Sequence, residues 1–325
     1  MKNMRLRYGS LATVCLVLLA LLPASCIQDD YATKEKATVT MTFTTRAISN
    51  PPAAAGGLEV NEHMRTLRVI VARKTGEILY NLKYDIAEEE TSKTITFSEM
   101  TVNADGEAFD FYAIANEDGV GYTDKSWDNV SIEDLKSMEL PATFLTAANA
   151  SADIMIPQTA YKEITVNPQS DGGIQSETMT LDFAVAKVRL TIENTSTAKQ
   201  PVSGISLSGV DMTSTPLFAG SLSKVNDGSV SLGEMTIPYE TNGTPGKSTV
   251  YAYFYENTGG EYKLNATWET STTFDIKTLG NLSEIKRGTE LDITITIKKS
   301  VTTPDDFFIQ VNTWDSADME IPSFE

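Results

Sequence analysis

The sequence predicts an all-β protein built as two tandem antiparallel β-sandwich domains. Short alternating or β-rich segments recur along the whole chain: 65–73, 77–84, 94–100, 108–116, 178–194, 248–257, 262–269 and 290–299. Turn chemistry separates them, as in KTGE, NADGE, NDGS, ETNGTPGK and NTGGE. Many short strands punctuated by Gly, Asn and Asp point to a sandwich rather than to a parallel α/β fold. A polar, Gly-bearing stretch at 167–177 divides the chain into two strand-rich halves, each of ordinary domain size.

Each element has its own signal. One helix is expected, at 131–138, where Ser131 and Asp134 stand like a capping box. Near the N-terminus, Val39, Met41 and Phe43 alternate with Thr38, Thr40, Thr42 and Thr44, the period of a half-buried strand. Arg46 and the small-residue, Pro- and Gly-bearing stretch AISNPPAAAGG follow it, and such a stretch suits proteolysis. Arg65, Arg68 and Arg73 lie in or beside a predicted strand, where the hydrogen-bonded backbone resists proteases.

The first 26 residues set the compartment. Lys2, Arg5 and Arg7 precede a short apolar run of signal-peptide length, and PASC ends it. Small residues before a cysteine resemble a lipoprotein signal, with Cys26 as the acylated first residue. Pro23 stands where the usual leucine of that box falls, with Leu22 one step back. The plainer alternative is ordinary cleavage that leaves Cys26 unmodified. The only other cysteine is Cys15, inside the leader, so the mature chain forms no internal disulfide.

Composition narrows the partners. The formal net charge is −18, and loss of three leader bases takes it to about −21. That disfavours nucleic acid and anionic membrane surfaces.

Catalytic chemistry is nearly absent, and no enzyme and no cofactor is expected. His63 is the single histidine, and no nucleophile elbow, HExxH helix or phosphate loop occurs. NADGE and NEDG lack the spacing of a complete EF-hand loop and read as hairpin turns. Tyr251, Tyr253 and Tyr255 share one face of a predicted strand. They form either a sugar-stacking row or part of a sandwich core with hydroxyls at the rim, and the core is preferred.

FYAIANED (111–118), FAVAKVRLTIENTS (183–196), VYAYFYENTGG (250–260) and RGTELDITITI (287–297), with a last strand carrying VNTW, resemble the strand signatures of Bacteroidales fimbrillins, subunits of type V pili. The acidic residues of CIQDD are similar to the surface-export signal of lipoproteins from that order. The resemblance implies two transthyretin-like sandwiches in a lipoprotein precursor with a C-terminal donor-type strand. It divides the chain into a signal peptide (1–25), a propeptide with a removable strand (26–46), two sandwiches (47–175 and 176–303) and a candidate donor strand (304–325). It also implies a removable strand at 38–45 carrying Val39, Met41 and Phe43. An arginine-specific protease would cut between Arg46 and Ala47.

A sandwich that loses a strand exposes two backbone edges and an apolar groove, a template for another chain. In the C-terminal tail Phe307, Ile309 and Val311 share one face, with Phe308 and Trp314 on the other. Donated head-to-tail, this tail would fill a neighbour's groove and build a filament supporting adhesion at the cell surface. Expected partners are other pilin subunits, the protease, outer-membrane lipid through Cys26 before cleavage, and a host or bacterial surface ligand. Two other readings stand beside this one. The first is a tip pilin or adhesin that accepts a strand without donating one. The second is a lipid-anchored surface glycan-binding protein.

Overall fold

The computed structural model describes residues 34–45, 58–87, 90–120, 127–169, 173–218, 228–259, 261–268, 272–278 and 284–297. Its first half holds β1 (Lys34–Thr45), β2 (Thr66–Arg73), β3 (Ile78–Asp85), β4 (Ser92–Asn103), β5 (Glu107–Ala115), β6 (Glu139–Pro141), β7 (Gln158–Val166) and β8 (Gln175–Phe183). Two helices, α1 (Ile132–Ser137) and α2 (Ala142–Ala150), lie between β5 and β7. The order β3-β2-β5-β7-β8-β1-β4 forms one sheet. β7 and β8 share only the pairs Gln158↔Phe183 and Thr159↔Asp182. From that corner the sheet folds into two layers. Val39, Met41, Phe43, Phe97 and Met179 of one layer pack with Leu67, Val69, Phe109 and Phe111 of the other.

The expected capping box at α1 is present: Ser131 Oγ accepts from the Asp134 amide while Asp134 receives the Ser131 amide. KTGE makes the β2–β3 hairpin, with Gly76 at φ 89° supplying the left-handed corner. NADGE differs from expectation. Its turn, closed by the Gly106 amide on Asn103 O, carries the chain from one layer to the other, because β4 pairs with β1 whereas β5 pairs with β2 and β7.

The second half holds β9 (Ala186–Asn194), β10 (Gln200–Val210), β11 (Ser214–Pro216), β12 (Gly228–Ile237), β13 (Gly246–Phe254), β14 (Asn257–Thr258), β15 (Lys263–Trp268), β16 (Thr272–Thr278), β17 (Glu284–Ile285) and β18 (Glu290–Ile297). Sheet β13-β9-β18 faces sheet β12-β10-β15-β16. Leu190, Ile192, Phe254, Ile293 and Ile295 meet Leu207, Val230 and Leu264 across the interior.

The all-β sandwich architecture matches the sequence expectation, with two differences. First, the sheets are mixed: β1 runs parallel to β8, and β18 parallel to β9. Second, the run at 178–194 is two strands separated by a bend at Ala184–Val185. β8 lies in the first sheet and β9 in the second, so a division before Ser176 cuts into β8.

The halves share a third apolar cluster. Ile70, Tyr112 and Ile114, on the outer face of β2 and β5, meet Leu135, Leu145, Tyr253 and Tyr255. This explains why β2 and β5 read as nearly continuous apolar runs: both of their faces are covered. β6 pairs with β11 across the same junction, and Asn149 of α2 bonds both the amide and the carbonyl of Tyr253.

A buried ionic cluster completes the junction. Lys187 Nζ lies 2.8 Å from Glu62 Oε1 and 3.3 Å from Glu290 Oε2. Arg189 Nε donates to Glu290 Oε1 at 2.6 Å, and its Nη2 donates to Glu59 Oε1 at 2.8 Å. The Tyr253 hydroxyl donates to Glu62 Oε1 at 2.8 Å. Burial first, and the Glu62 charge second, push that phenol far above its ordinary range.

Candidate functional site: the β1 slot

β1 occupies an interior position of its sheet, antiparallel to β4 and parallel to β8. Its burial alternates along the strand, as the sequence pattern requires. Val39, Met41 and Phe43 are each 0% exposed. They project into a groove walled by Ile95, Phe97 and Met100 from β4 and Met179 and Leu181 from β8. Burying such side chains contributes about 1.5–3 kcal/mol each.

The opposite face is polar and ordered by threonines. Thr40 and Thr96 hydroxyls stand 3.1 Å apart, and so do those of Thr42 and Thr94. Cross-strand pairs of this kind contribute about 0.2–1 kcal/mol each. Register is reset once, by a bulge between Ala37 and Val39. Opposite it, Glu99 adopts φ 62° and pairs with Lys36.

Charge pins the outer end of β1. Lys34 Nζ lies 3.3 Å from Glu107 Oε2, and Arg73 also bonds that carboxylate. Burial pushes the Glu107 carboxyl up, but the hydrogen bonds and charges of Arg73 and Lys34 outweigh it and hold the group below its ordinary value.

The site is therefore a strand-shaped slot. With β1 in place, both neighbouring backbones are paired with it and its apolar side chains fill the groove. Without it, β4 and β8 would present unpaired ladders on either side of an apolar channel, chemistry that selects an extended chain with alternating apolar residues.

Two solved structures share this architecture. One is the tip fimbrial protein Mfa3 from Porphyromonas gingivalis, with a C-terminal truncation: 12% identity, TM-score 0.55, 86% of this chain and 99% of that one. The other is a protein from Bacteroides eggerthii ascribed to cell adhesion: 14% identity, TM-score 0.53, 86% and 95% coverage. The chain has the fold of Bacteroidales fimbrial proteins. No family model and no curated sequence matches it.

The structure places the sequence-predicted residues unevenly. Val39, Met41 and Phe43 do come together on one buried face. Cys26, Arg46, Ala47, Phe307, Ile309, Val311 and Trp314 lie outside the described residues. Tyr253 and Tyr255 are fully buried and Tyr251 partly so, which leaves no exposed row of three rings for a sugar. Tyr255 donates to the Pro141 carbonyl at 2.8 Å, which ties it to the junction between halves. Among the described residues no cluster of His, Cys, Asp or Glu is placed to hold a metal ion.

Sequence reasoning missed the wall of the slot. Phe97 and Met179 are as much part of the site as β1 itself. Their alternation within β4 and β8 was readable, but nothing local tied those strands to β1.

Proposed function

We propose that the protein is a structural pilus subunit assembled by strand exchange. The precursor is acylated on Cys26, carried to the cell surface and cut between Arg46 and Ala47. β1 then leaves with the lipid, and the tail at 304–325 of a neighbouring subunit takes its place through Phe307, Ile309 and Val311. Repeated head-to-tail, this contact does not close and gives a filament. The supporting observation is that a strand directly preceding Arg46 occupies an interior position of its sheet with three fully buried apolar side chains. The fimbrial fold agrees with the role.

Brief treatment of the purified precursor with an arginine-specific protease tests this reading. A new N-terminus at Ala47, an otherwise intact chain and growing oligomers are expected. Cutting at scattered arginines without assembly would overturn it.

A further inference from the structure

We propose that β8 and β9 form a continuous tension element that crosses the subunit, with the chain loaded in shear at both ends. This rests on the strand-exchange reading, and it concerns how the assembled subunit carries force rather than how it assembles.

The argument is topological. β1 pairs with β8 in parallel through seven positions, from Val39↔Gln175 to Thr45↔Leu181. β18 pairs with β9 in parallel through eight, from Glu290↔Lys187 to Ile297↔Asn194. Only Ala184 and Val185, both fully buried, separate β8 from β9. Their bend is held by the bonds Ala184 N–H to Pro157 O and Gly288 N–H to Val185 O, at 2.9 and 2.8 Å.

The directions of these strands decide how force acts. The Lys34 end of β1 lies beside Asn103, at the end of the sheet remote from the β8–β9 bend. The Ile297 end of β18 lies beside Asn194, remote from the same bend on the other side. A chain entering the slot in the direction of β1 and leaving after Ile297 therefore pulls each strand outward along its own length. In that geometry the ladder bonds of a strand share the load and break together. A pull across the strands opens them one pair at a time. Antiparallel partners whose pulled ends met at one turn would unzip instead.

The ionic cluster reinforces the second contact. Glu290 opens β18, is 2% exposed, and is held by Arg189 and Lys187 of β9. Sliding β18 outward would drag the buried Glu290 carboxylate off Lys187, its partner in the ladder, which is costly.

Single-molecule pulling on the uncut full chain tests this, with Cys15 and Cys26 replaced by Ser. Handles on Thr33→Cys and Ser300→Cys load β1 and β18 lengthwise. Handles on Thr33→Cys and Ala104→Cys, in the exposed turn beside the Lys34 end, peel β1 from β4 crosswise. The lengthwise pair should rupture at severalfold higher force. Equal forces, or a weaker lengthwise rupture, would overturn the tension element. Because the chain is uncut, this result is independent of cleavage and polymerisation: a protein that assembles yet shows equal forces loses this proposal and keeps strand exchange.

Discussion

Phe43 and Met179 are direct partners in a parallel ladder, and both side chains are buried in the core of the first sandwich. They come from strands about 130 residues apart in the chain, one beside the N-terminus and one at the junction between halves. The contact makes β1 part of the core of the first sandwich although most of that half lies between the two strands in the chain.

Met41→Ala should destabilise the uncut precursor by about 2–5 kcal/mol, the usual cost of truncating a buried methionine. If strand exchange removes β1, filaments assembled from the same variant should be as stable as wild type. Denaturant unfolding of precursor and filament reads both halves of this prediction.

Deleting residues 307–325 should leave a folded chain that is cut after Arg46 but forms no filaments. Electron microscopy after protease treatment is the readout. Normal filaments would remove the tail as donor.

Acid should loosen the outer end of β1. The Glu107 carboxyl is held below its ordinary value of 4.5, so its contribution is present above that pH. It is lost as pH falls through the lower folded value. The unfolding midpoint of the precursor should drop on acidification below about pH 4.5, and Glu107→Gln should flatten that drop. Midpoints measured across this range give the comparison.

Lys187→Met should destabilise the chain by about 3–5 kcal/mol, because Glu62 and Glu290 would stay buried without that cation. Lys247→Met, which removes an exposed lysine paired with the partly buried Glu193, should cost less than about 1 kcal/mol. Thermal or chemical unfolding of the two variants separates the buried cluster from a surface pair.

Much of the fold was legible because each half alternates strongly where one face is buried. β1, β4 and β18 follow this rule along most of their length, and β4 breaks it at Ser98–Glu99, where the bulge resets the register. What escaped the sequence is non-local. The run at 178–194 has no Gly or Pro at Ala184–Val185, so nothing marks the passage from one sheet to the other. The bend is imposed by partners at Pro157 and Gly288. The small-residue segment ATFLTAANA gave no helical stripe, yet it forms α2 because Phe144 and Leu145 pack into the shared core and Asn149 clasps β13. The tyrosine alternation was readable, whereas the cover over its face was not: that cover comes from the other half of the molecule. The slot was legible from one side only. Val39, Met41 and Phe43 announced a strand, while the parallel pairing with β8 is a contact across most of the first half.

The most direct measurement of the central claim is hydrogen exchange at the β4 and β8 amides that face β1, compared in three states. They should be protected in the uncut precursor, exchange rapidly in a cut chain lacking residues 307–325, and regain protection in filaments of the cut full-length protein. Protection that persists in the cut, tail-deleted chain, or that fails to return on assembly, would contradict replacement of β1 by a neighbour's tail.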